Sequence, residues 1–127
     1  MKIIETKVIF HDGRGDIRDV ISDTPISTIT HMTCEPGSVR GNHWHKATTH
    51  YDYILKGSFE LYIKTSDGRT EKTIIKAGDV VFSPPGEARA FKALEYSEFL
   101  SCTYGPSRNN SEDFYKDTVK LETPLVT

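Results

Sequence analysis

Residues 37–57 of this 127-residue chain read GSVRGNHWHKATTHYDYILKG. The segment contains three of the five histidines, His43, His45 and His50. Side chains two positions apart in an extended strand share a face, so we expect His43 and His45 to point the same way. His50 lies too far along the chain to join them on one straight strand. A turn or bulge near Lys46 is needed to bring it to the same place.

These histidines have two interpretations. Imidazole is a common ligand of divalent metals, so His43, His45 and His50 can together hold one ion, for which we consider Zn, Fe, Mn or Ni. In the plainer interpretation they form a polar strand end that faces solvent. The spacing of the three residues leaves both interpretations open.

The composition of the chain favours strands. Ile, Val and Thr total 32 residues, whereas Ala and Leu total 11. β-Branched side chains lose rotamer freedom in helices and pack well on a pleated sheet. Short alternating runs recur between turn signals, and the clearest hairpin joins Ser58–Lys64 to residues 72–75 across Asp67-Gly68. We therefore predict one all-β domain over residues 1–127, with a polar tail over residues 105–127.

The charge balance and the cysteines exclude several classes of protein. Sixteen Lys and Arg residues face 18 Asp and Glu residues, a net charge of −2, which gives no basic surface for nucleic acid. No apolar run reaches the roughly 18–20 residues of a membrane span, and residues 1–7 lack the apolar stretch of a secretory signal. We therefore expect a cytoplasmic protein without nucleic-acid or membrane partners. In that compartment Cys34 and Cys102 are expected to be buried thiols.

The glycine and histidine spacing resembles that of a known superfamily. Residues 37–57 follow the pattern Gly-x5-His-x-His-x4-His-x6-Gly, which is similar to the first motif of the cupins. Residues 78–93 are similar to the second cupin motif through Gly78, Pro84 and Gly86. The resemblance implies a double-stranded β-helix, the jelly-roll barrel of small single-domain cupins. Cupins host many chemistries, so the resemblance says more about fold than about function.

Two positions depart from the cupin pattern. His50 stands where the family has a glutamate ligand, and Arg89 stands where it has a histidine ligand. Arginine has no lone pair to donate and remains protonated. Either His43, His45 and His50 form a three-imidazole metal site with open positions, or Arg89 makes the pocket a cradle for an anionic group. A third interpretation places Arg89 on the surface as a solvated charge.

A closer resemblance lies in residues 40–46, RGNHWHK. This string is similar to one in the sugar-nucleotide-processing cupins, which include dTDP-sugar 3,4-ketoisomerases, dTDP-4-dehydrorhamnose 3,5-epimerases and capsular-polysaccharide cupins. The resemblance implies that His43 and His45 act as an acid/base pair, without a metal, and that Arg40 contacts a nucleotide diphosphate. The residues predicted to contact substrate are Arg40, Arg89, Tyr53 and Trp44.

Three functional hypotheses follow from these residues. The first is a metal-binding cupin that acts on a small sugar-like or anionic substrate. The second is a metal-independent nucleotide-sugar isomerase or epimerase, in which His43 and His45 transfer protons next to a ketone. The third is a sugar-binding module without catalysis.

We also expect a homodimer, because small jelly rolls leave edge strands that can pair. Residues 17–21 and the tail from Asp117 are candidates for exchange between the two copies.

Overall fold

The computed structural model describes residues 2–106, 109 and 111–127. Strands and turns dominate this part of the chain, and none of its helices is long and apolar enough to cross a membrane. The elements in chain order are β1 (Lys2–Glu5), β2 (Val8–Asp12), β3 (Gly15–Arg18), β4 (Thr28–Cys34), β5 (Val39–His45), β6 (Thr49–Lys56), β7 (Ser58–Lys64), β8 (Thr70–Lys76), β9 (Asp79–Ser83), β10 (Arg89–Ala93), β11 (Ser97–Tyr104), α1 (Ser111–Asp117) and β12 (Thr118–Lys120).

Two five-stranded antiparallel sheets pack face to face. Their strand orders are β1-β9-β6-β11-β4 and β12-β5-β10-β7-β8. Consecutive strands such as β5 and β6 lie in different sheets, so the chain crosses repeatedly between the two layers. This arrangement confirms the predicted double-stranded β-helix, or jelly roll. Strands β2 and β3 form a separate two-stranded sheet.

The hairpin formed by β7 and β8 is the element that the sequence predicts best. β7 spans Ser58–Lys64, the predicted run, and Lys64 pairs with Thr70 across the Asp67-Gly68 turn. The short strands β1 and β12 are not predicted from the sequence. They contain four and three residues and lie at sheet edges, and runs this short show no usable alternation.

The inward face of β6 changes from polar to apolar along its length. His50, Asp52 and Ile54 are all buried and alternate with partly exposed residues. Ile54 belongs to the hydrophobic core, in which the rings of Phe91 and Phe99 lie 5.4 Å apart in a stacked arrangement. The barrel therefore has an apolar half that supplies most of the hydrophobic stabilisation and a polar half that contains titratable groups.

The two cysteines are free and buried, as the sequence predicts. Cys34 on β4 pairs with Ser97, and Cys102 on β11 pairs with Ile29, so the two thiols lie at different heights of one strand pair. Burial raises the pKa of the Cys102 thiol. A buried thiol with a raised pKa is a poor nucleophile, and we assign neither cysteine a chemical role.

Gly57, which ends the 37–57 segment, lies in the turn between β6 and β7, where the neighbouring atoms leave no room for a Cβ. Gly57 and Gly68 have nearly the same φ, +81° and +83°. A Cβ at Gly57 would lie 2.6 Å from the carbonyl oxygen of Tyr96, whereas one at Gly68 would meet nothing within 4 Å. We expect Gly68→Ala to lower the free energy of unfolding by about 1–2 kcal/mol, the cost of left-handed backbone alone. Gly57→Ala should cost about 1–3 kcal/mol more, because backbone must also move.

Urea denaturation of the two alanine variants checks this expectation. Equal losses in Gly57→Ala and Gly68→Ala would contradict it, since the two sites differ in the space around the added methyl group.

Candidate active site

A cavity of about 280 Å³ lies between the two sheets. Phe91 and Phe99 form part of its lining, so it continues directly from the aromatic core. Its volume is near the lower end of the range for small-molecule sites. The cavity is also lined by five of the side chains that the sequence singles out, which are Arg40, His43, His45, His50 and Arg89.

A β-bulge in β5 directs His43 into this cavity. The register between β5 and β10 shifts beside Arg89, and Gly41 and Asn42 have φ values of +103° and +59°. A Cβ at Gly41 would lie 2.7 Å from the carbonyl oxygen of Arg89, so the close approach of β5 and β10 requires glycine there. Beyond the bulge, His43 and His45 point to one side, and their ring centroids are 4.8 Å apart.

His50 reaches the same place from the facing sheet. The chain bends at residues 46–47 and enters β6 at Thr49, which is the change of direction that the sequence requires. The ring centroids of His45 and His50 are 4.4 Å apart. Among the described residues, the buried Nε2 atoms of both rings have no hydrogen-bond partner. The structure therefore brings the three histidines together with two ring nitrogens unsatisfied.

Asp117, the last residue of α1, contacts Nδ1 of His45 through its carboxylate. Its Oδ2 lies 3.2 Å from Nδ1 of His45, and both side chains are buried. The carboxylate also accepts hydrogen bonds from the backbone N–H of Ala47 at 2.7 Å and the hydroxyl of Thr48 at 2.5 Å. These bonds fix the carboxylate, which in turn fixes the orientation of the His45 ring. Thr118 Oγ1 lies 3.2 Å from the same ring nitrogen.

Burial and positive charge keep the three histidines neutral at pH 7. Desolvation is the largest cause at each ring, and it lowers the pKa of His45 to about 4 against the opposing effect of Asp117. The pKa of His50 is lowered strongly, by burial and then by the charge of Arg89. The pKa of His43 is also lowered, again by burial and then by Arg89. Each neutral ring keeps one nitrogen lone pair.

Arg89 faces the cavity and is paired with a buried carboxylate. Its Nη2 donates to Oδ2 of Asp52 at 3.0 Å, and the two residues are 5% and 0% exposed. The interpretation of Arg89 as a surface charge is therefore wrong. Nε of Arg89 and Oδ1 of Asp52 have no hydrogen-bond partner within the described ranges. The Nε–H group of the guanidinium is therefore left without an acceptor in this part of the chain.

The other predicted site residues divide between the cavity and the outer surfaces of the sheets. Arg40 is exposed, lines the cavity and donates from Nη2 to the carbonyl oxygen of Thr33 at 2.8 Å. Trp44 lies between His43 and His45 on β5, and neither Trp44 nor Tyr53 lines the cavity. We do not include Trp44 and Tyr53 in the candidate site.

Two buried carboxylates of the site were not among the predicted residues. Asp52 lies two residues after His50, and strand alternation could have identified it as an inward neighbour. Asp117 is 72 residues from His45 and belongs to no recognisable motif. The aromatic residues Phe114 and Tyr115 of α1 also line the cavity, and nothing in the predicted polar tail singles them out.

Comparison with known proteins identifies the family. The family model of the cupin domain matches residues 30–100, which include the bulge, the three histidines and Arg89. The chain belongs to the cupin family. This assignment agrees with the jelly-roll topology and with the motif resemblance.

Individual cupins show how far the similarity extends. An oxalate decarboxylase of Arthroderma benhamiae (strain ATCC MYA-4681 / CBS 112371) is 33% identical over 93 residues, which cover 68% of this chain and 21% of that relative. The chain thus spans only a small part of that protein.

Solved structures of sugar-processing cupins have the same fold. WlaRA, a TDP-fucose-3,4-ketoisomerase from Campylobacter jejuni, matches with a TM-score of 0.74 and 16% identity over 93% of this chain and 87% of its own. QdtA, a sugar 3,4-ketoisomerase from Thermoanaerobacterium thermosaccharolyticum in complex with TDP, matches with a TM-score of 0.72 and 20% identity over 95% and 88%. At these identities the match shows a shared fold.

The charge of Arg89 beside the three histidines is unfavourable for a resident divalent cation. No three His, Cys, Asp or Glu side chains in the described part of the chain form a metal-binding group. The guanidinium of Arg89 stands at the position of the family's fourth ligand, and its charge disfavours protonation of all three histidines. The same charge repels a metal ion. We derive no step through a metal, and metal binding by His43, His45 and His50 stays a prediction of the sequence.

Acid should destabilise this cupin before its carboxylates titrate. An unfolded histidine takes up a proton near its ordinary pKa of 6.5, whereas folded His45 does so only at about 4. Between these values the unfolded state binds more protons, so the stability due to the neutral ring is complete above pH 6.5 and is lost as the pH falls toward 4. We expect the urea midpoint to fall between about pH 7 and pH 5, a range above the ordinary carboxyl pKa values.

Two variants separate the buried histidines from the rest of the chain in this measurement. His45→Gln should reduce the acid sensitivity, and replacement of the exposed residue His31 by glutamine should leave it as in the wild type. A urea midpoint that stays constant or rises on acidification would contradict the expectation.

Proposed function

We propose that this cupin transfers protons to and from a small anionic, sugar-like substrate in the cavity, with His45 as the general base. The observation that supports the proposal is the buried pair of His45 and Asp117, at 3.2 Å. When Nδ1–H of His45 donates to the carboxylate, Nε2 carries the lone pair of the ring, and this atom has no partner among the described residues. A neutral imidazole with a free lone pair can accept a proton from a carbon next to a carbonyl group.

The proposed proton transfer needs no co-reactant. The C–H bond next to the ketone breaks, its proton forms an N–H bond at Nε2 of His45, and its electron pair moves into the carbonyl to give an enolate oxygen. Asp117 stabilises the imidazolium that results. Return of a proton to the opposite face of the same carbon completes an epimerisation: His43, which is neutral at rest, passes on a proton that it takes from solvent, and the His45 imidazolium releases its proton to solvent. Return to the former carbonyl carbon, with transfer of the neighbouring hydroxyl proton, completes a ketone shift.

The arginines supply the positive charge that an anionic substrate and an enolate require. Arg89 lies beside the histidines and keeps an unpaired N–H at Nε, so it is suited to the developing enolate oxygen. Arg40 is exposed at the cavity lining, where it can contact a phosphate or carboxylate that extends toward solvent.

The similar proteins suggest two classes of anionic substrate. The ketoisomerases named above act on TDP-linked sugars or bind TDP, and the curated relative is an oxalate decarboxylase. We favour a nucleotide-linked ketosugar, because the cavity joins two arginines and a histidine base with aromatic side chains on which a sugar or base can pack.

A thermal-shift screen tests the substrate class. The probes are TDP, TDP-glucose, glucose, oxalate and the chlorides of zinc and manganese. Ligands that bind only the folded state raise the melting temperature, and we expect TDP-glucose to give the largest rise and Arg89→Lys to reduce it. A rise with zinc or manganese alone would contradict the proposal and support the metal hypothesis.

The remaining hypotheses are tested directly. Elemental analysis of untagged protein decides the metal hypothesis, which requires stoichiometric metal that is lost in His45→Ala. Binding of TDP-glucose without any proton exchange on a matching ketosugar would indicate a sugar-binding module.

We also propose that the protein forms a homodimer, as the sequence predicts. Light scattering at micromolar concentration tests this proposal, and a monomer would contradict it.

A further inference from the structure

Asn42 has a left-handed backbone conformation that is typical of glycine. Unlike glycine, it has a side chain, which forms two hydrogen bonds. Its φ is +59°, in the left-handed region that is unfavourable for most residues other than glycine. Both ends of its amide form hydrogen bonds across 83 and 84 residues of sequence. Nδ2 donates to the carbonyl oxygen of Val126 at 3.0 Å, and Oδ1 accepts from the backbone N–H of Leu125 at 2.8 Å.

These bonds attach residues 121–127, which we name the strap, to the bulge in β5. The backbone carbonyl of Asn42 accepts a third bond from the N–H of Leu121 at 2.9 Å. At the other end of the strap, Lys92 Nζ donates to the carbonyl oxygen of Thr127 at 3.0 Å. The strap therefore follows β12 and returns to the bulge and to β10, the strand that carries Arg89.

The next residue after Asn42 is His43, whose Nδ1 lies 3.1 Å from the carbonyl oxygen of Gly41. The position of the His43 ring therefore depends on the backbone at Gly41, on the other side of Asn42. We infer that Asn42 is a positioning residue, which uses the strap to hold the bulge closed and thereby keeps His43 at the cavity wall. The catalytic importance of His43 rests on the proposed function, whereas its positioning by Asn42 does not.

Asn42→Gly removes the amide and keeps a residue at ease with the left-handed backbone. A matched control exists in Asp23→Gly, because Asp23 is also a non-glycine residue in this region, with a φ of +56°, and is exposed. Asn42→Asp is the conservative variant, since it retains the acceptor for Leu125 N–H and loses the donor to Val126. The measurement is the rate at which diethyl pyrocarbonate modifies each histidine, followed by peptide mass spectrometry.

We expect His43 to react about fivefold faster in Asn42→Gly, because loss of the two side-chain hydrogen bonds makes local opening of the bulge more frequent. His11 and His31, which are exposed, should keep their wild-type rates. Asn42→Asp should give a smaller increase, and Asp23→Gly none. An unchanged rate at His43, or an equal increase at every histidine, would overturn the inference; neither result depends on whether TDP-glucose binds.

Discussion

Replacement of His45 by glutamine is expected to slow proton exchange on a bound ketosugar by about 10²–10⁴-fold. Glutamine can still donate a hydrogen bond to Asp117, so the fold should persist, but it has no basic nitrogen to accept a carbon-bound proton. The measurement is the initial loss of the proton NMR signal next to the ketone of a TDP-linked 4-keto-6-deoxyhexose in deuterated buffer.

Two further variants define the specificity of this effect. His31→Gln changes an exposed histidine on β4 whose Nε2 pairs with Oε1 of Glu98 at 2.7 Å, and it should exchange at the wild-type rate. Asp117→Asn should also slow exchange, because an amide that donates to Nδ1 of His45 favours the tautomer with the proton on Nε2 and lacks the charge that stabilises the imidazolium. A wild-type exchange rate in His45→Gln would remove His45 from the role of base.

Replacement of Arg89 by methionine is expected to lower the free energy of unfolding by about 3–5 kcal/mol, because it leaves the carboxylate of Asp52 buried without a counter-charge. The pair is 3.0 Å apart, and its side chains are 6% and 0% exposed. Urea denaturation at neutral pH measures the loss. The double variant Arg89→Met with Asp52→Leu removes both charges and should recover most of the stability.

A surface ion pair provides the control for this experiment. Arg14 Nη2 lies 2.6 Å from Oδ2 of Asp12, but the two side chains are 87% and 32% exposed. Arg14→Met should therefore change the free energy of unfolding by at most about 1 kcal/mol. Similar losses in Arg14→Met and Arg89→Met, or a double variant less stable than Arg89→Met, would show that burial of the Asp52 carboxylate is not the cause.

Strand alternation and motif spacing predicted the fold and the meeting of the histidines. The same alternation places Trp44 on the face opposite to His43 and His45, and Tyr53 opposite to His50 and Asp52. The sequence predicts both aromatic residues as substrate contacts, because aromatic rings can stack on a base or a sugar face. The two-residue period of the strands places both rings away from the cavity and places Asp52 beside His50.

Asp117 could not be predicted by this kind of argument. It lies on a seven-residue helix after a polar segment, and its contact with His45 exists only because β12 pairs with β5. β12 has three residues, too few for a period to be visible. The orientation of Arg89 was undecided for a related reason, since only the facing sheet supplies its partner Asp52.

The strap illustrates the same limit at Asn42. An asparagine next to a glycine is typical of a turn. In the structure Asn42 instead lies in a bulge, and the hydrogen-bond partners of its side chain lie 83 and 84 residues away. Such long-range hydrogen bonds leave no local pattern in the sequence.

The most direct test of the proposed function is deuterium incorporation by the wild-type protein in the presence of a metal chelator. The protein is incubated with a TDP-linked 4-keto-6-deoxyhexose in deuterated buffer, and the sugar is analysed by mass spectrometry against a sample without protein. Proton transfer by His45, held by Asp117, predicts incorporation next to the ketone that is faster than in the protein-free sample and about 10²–10⁴-fold slower in His45→Gln. Incorporation no faster than without protein, or incorporation that the chelator abolishes and added metal restores, would contradict it.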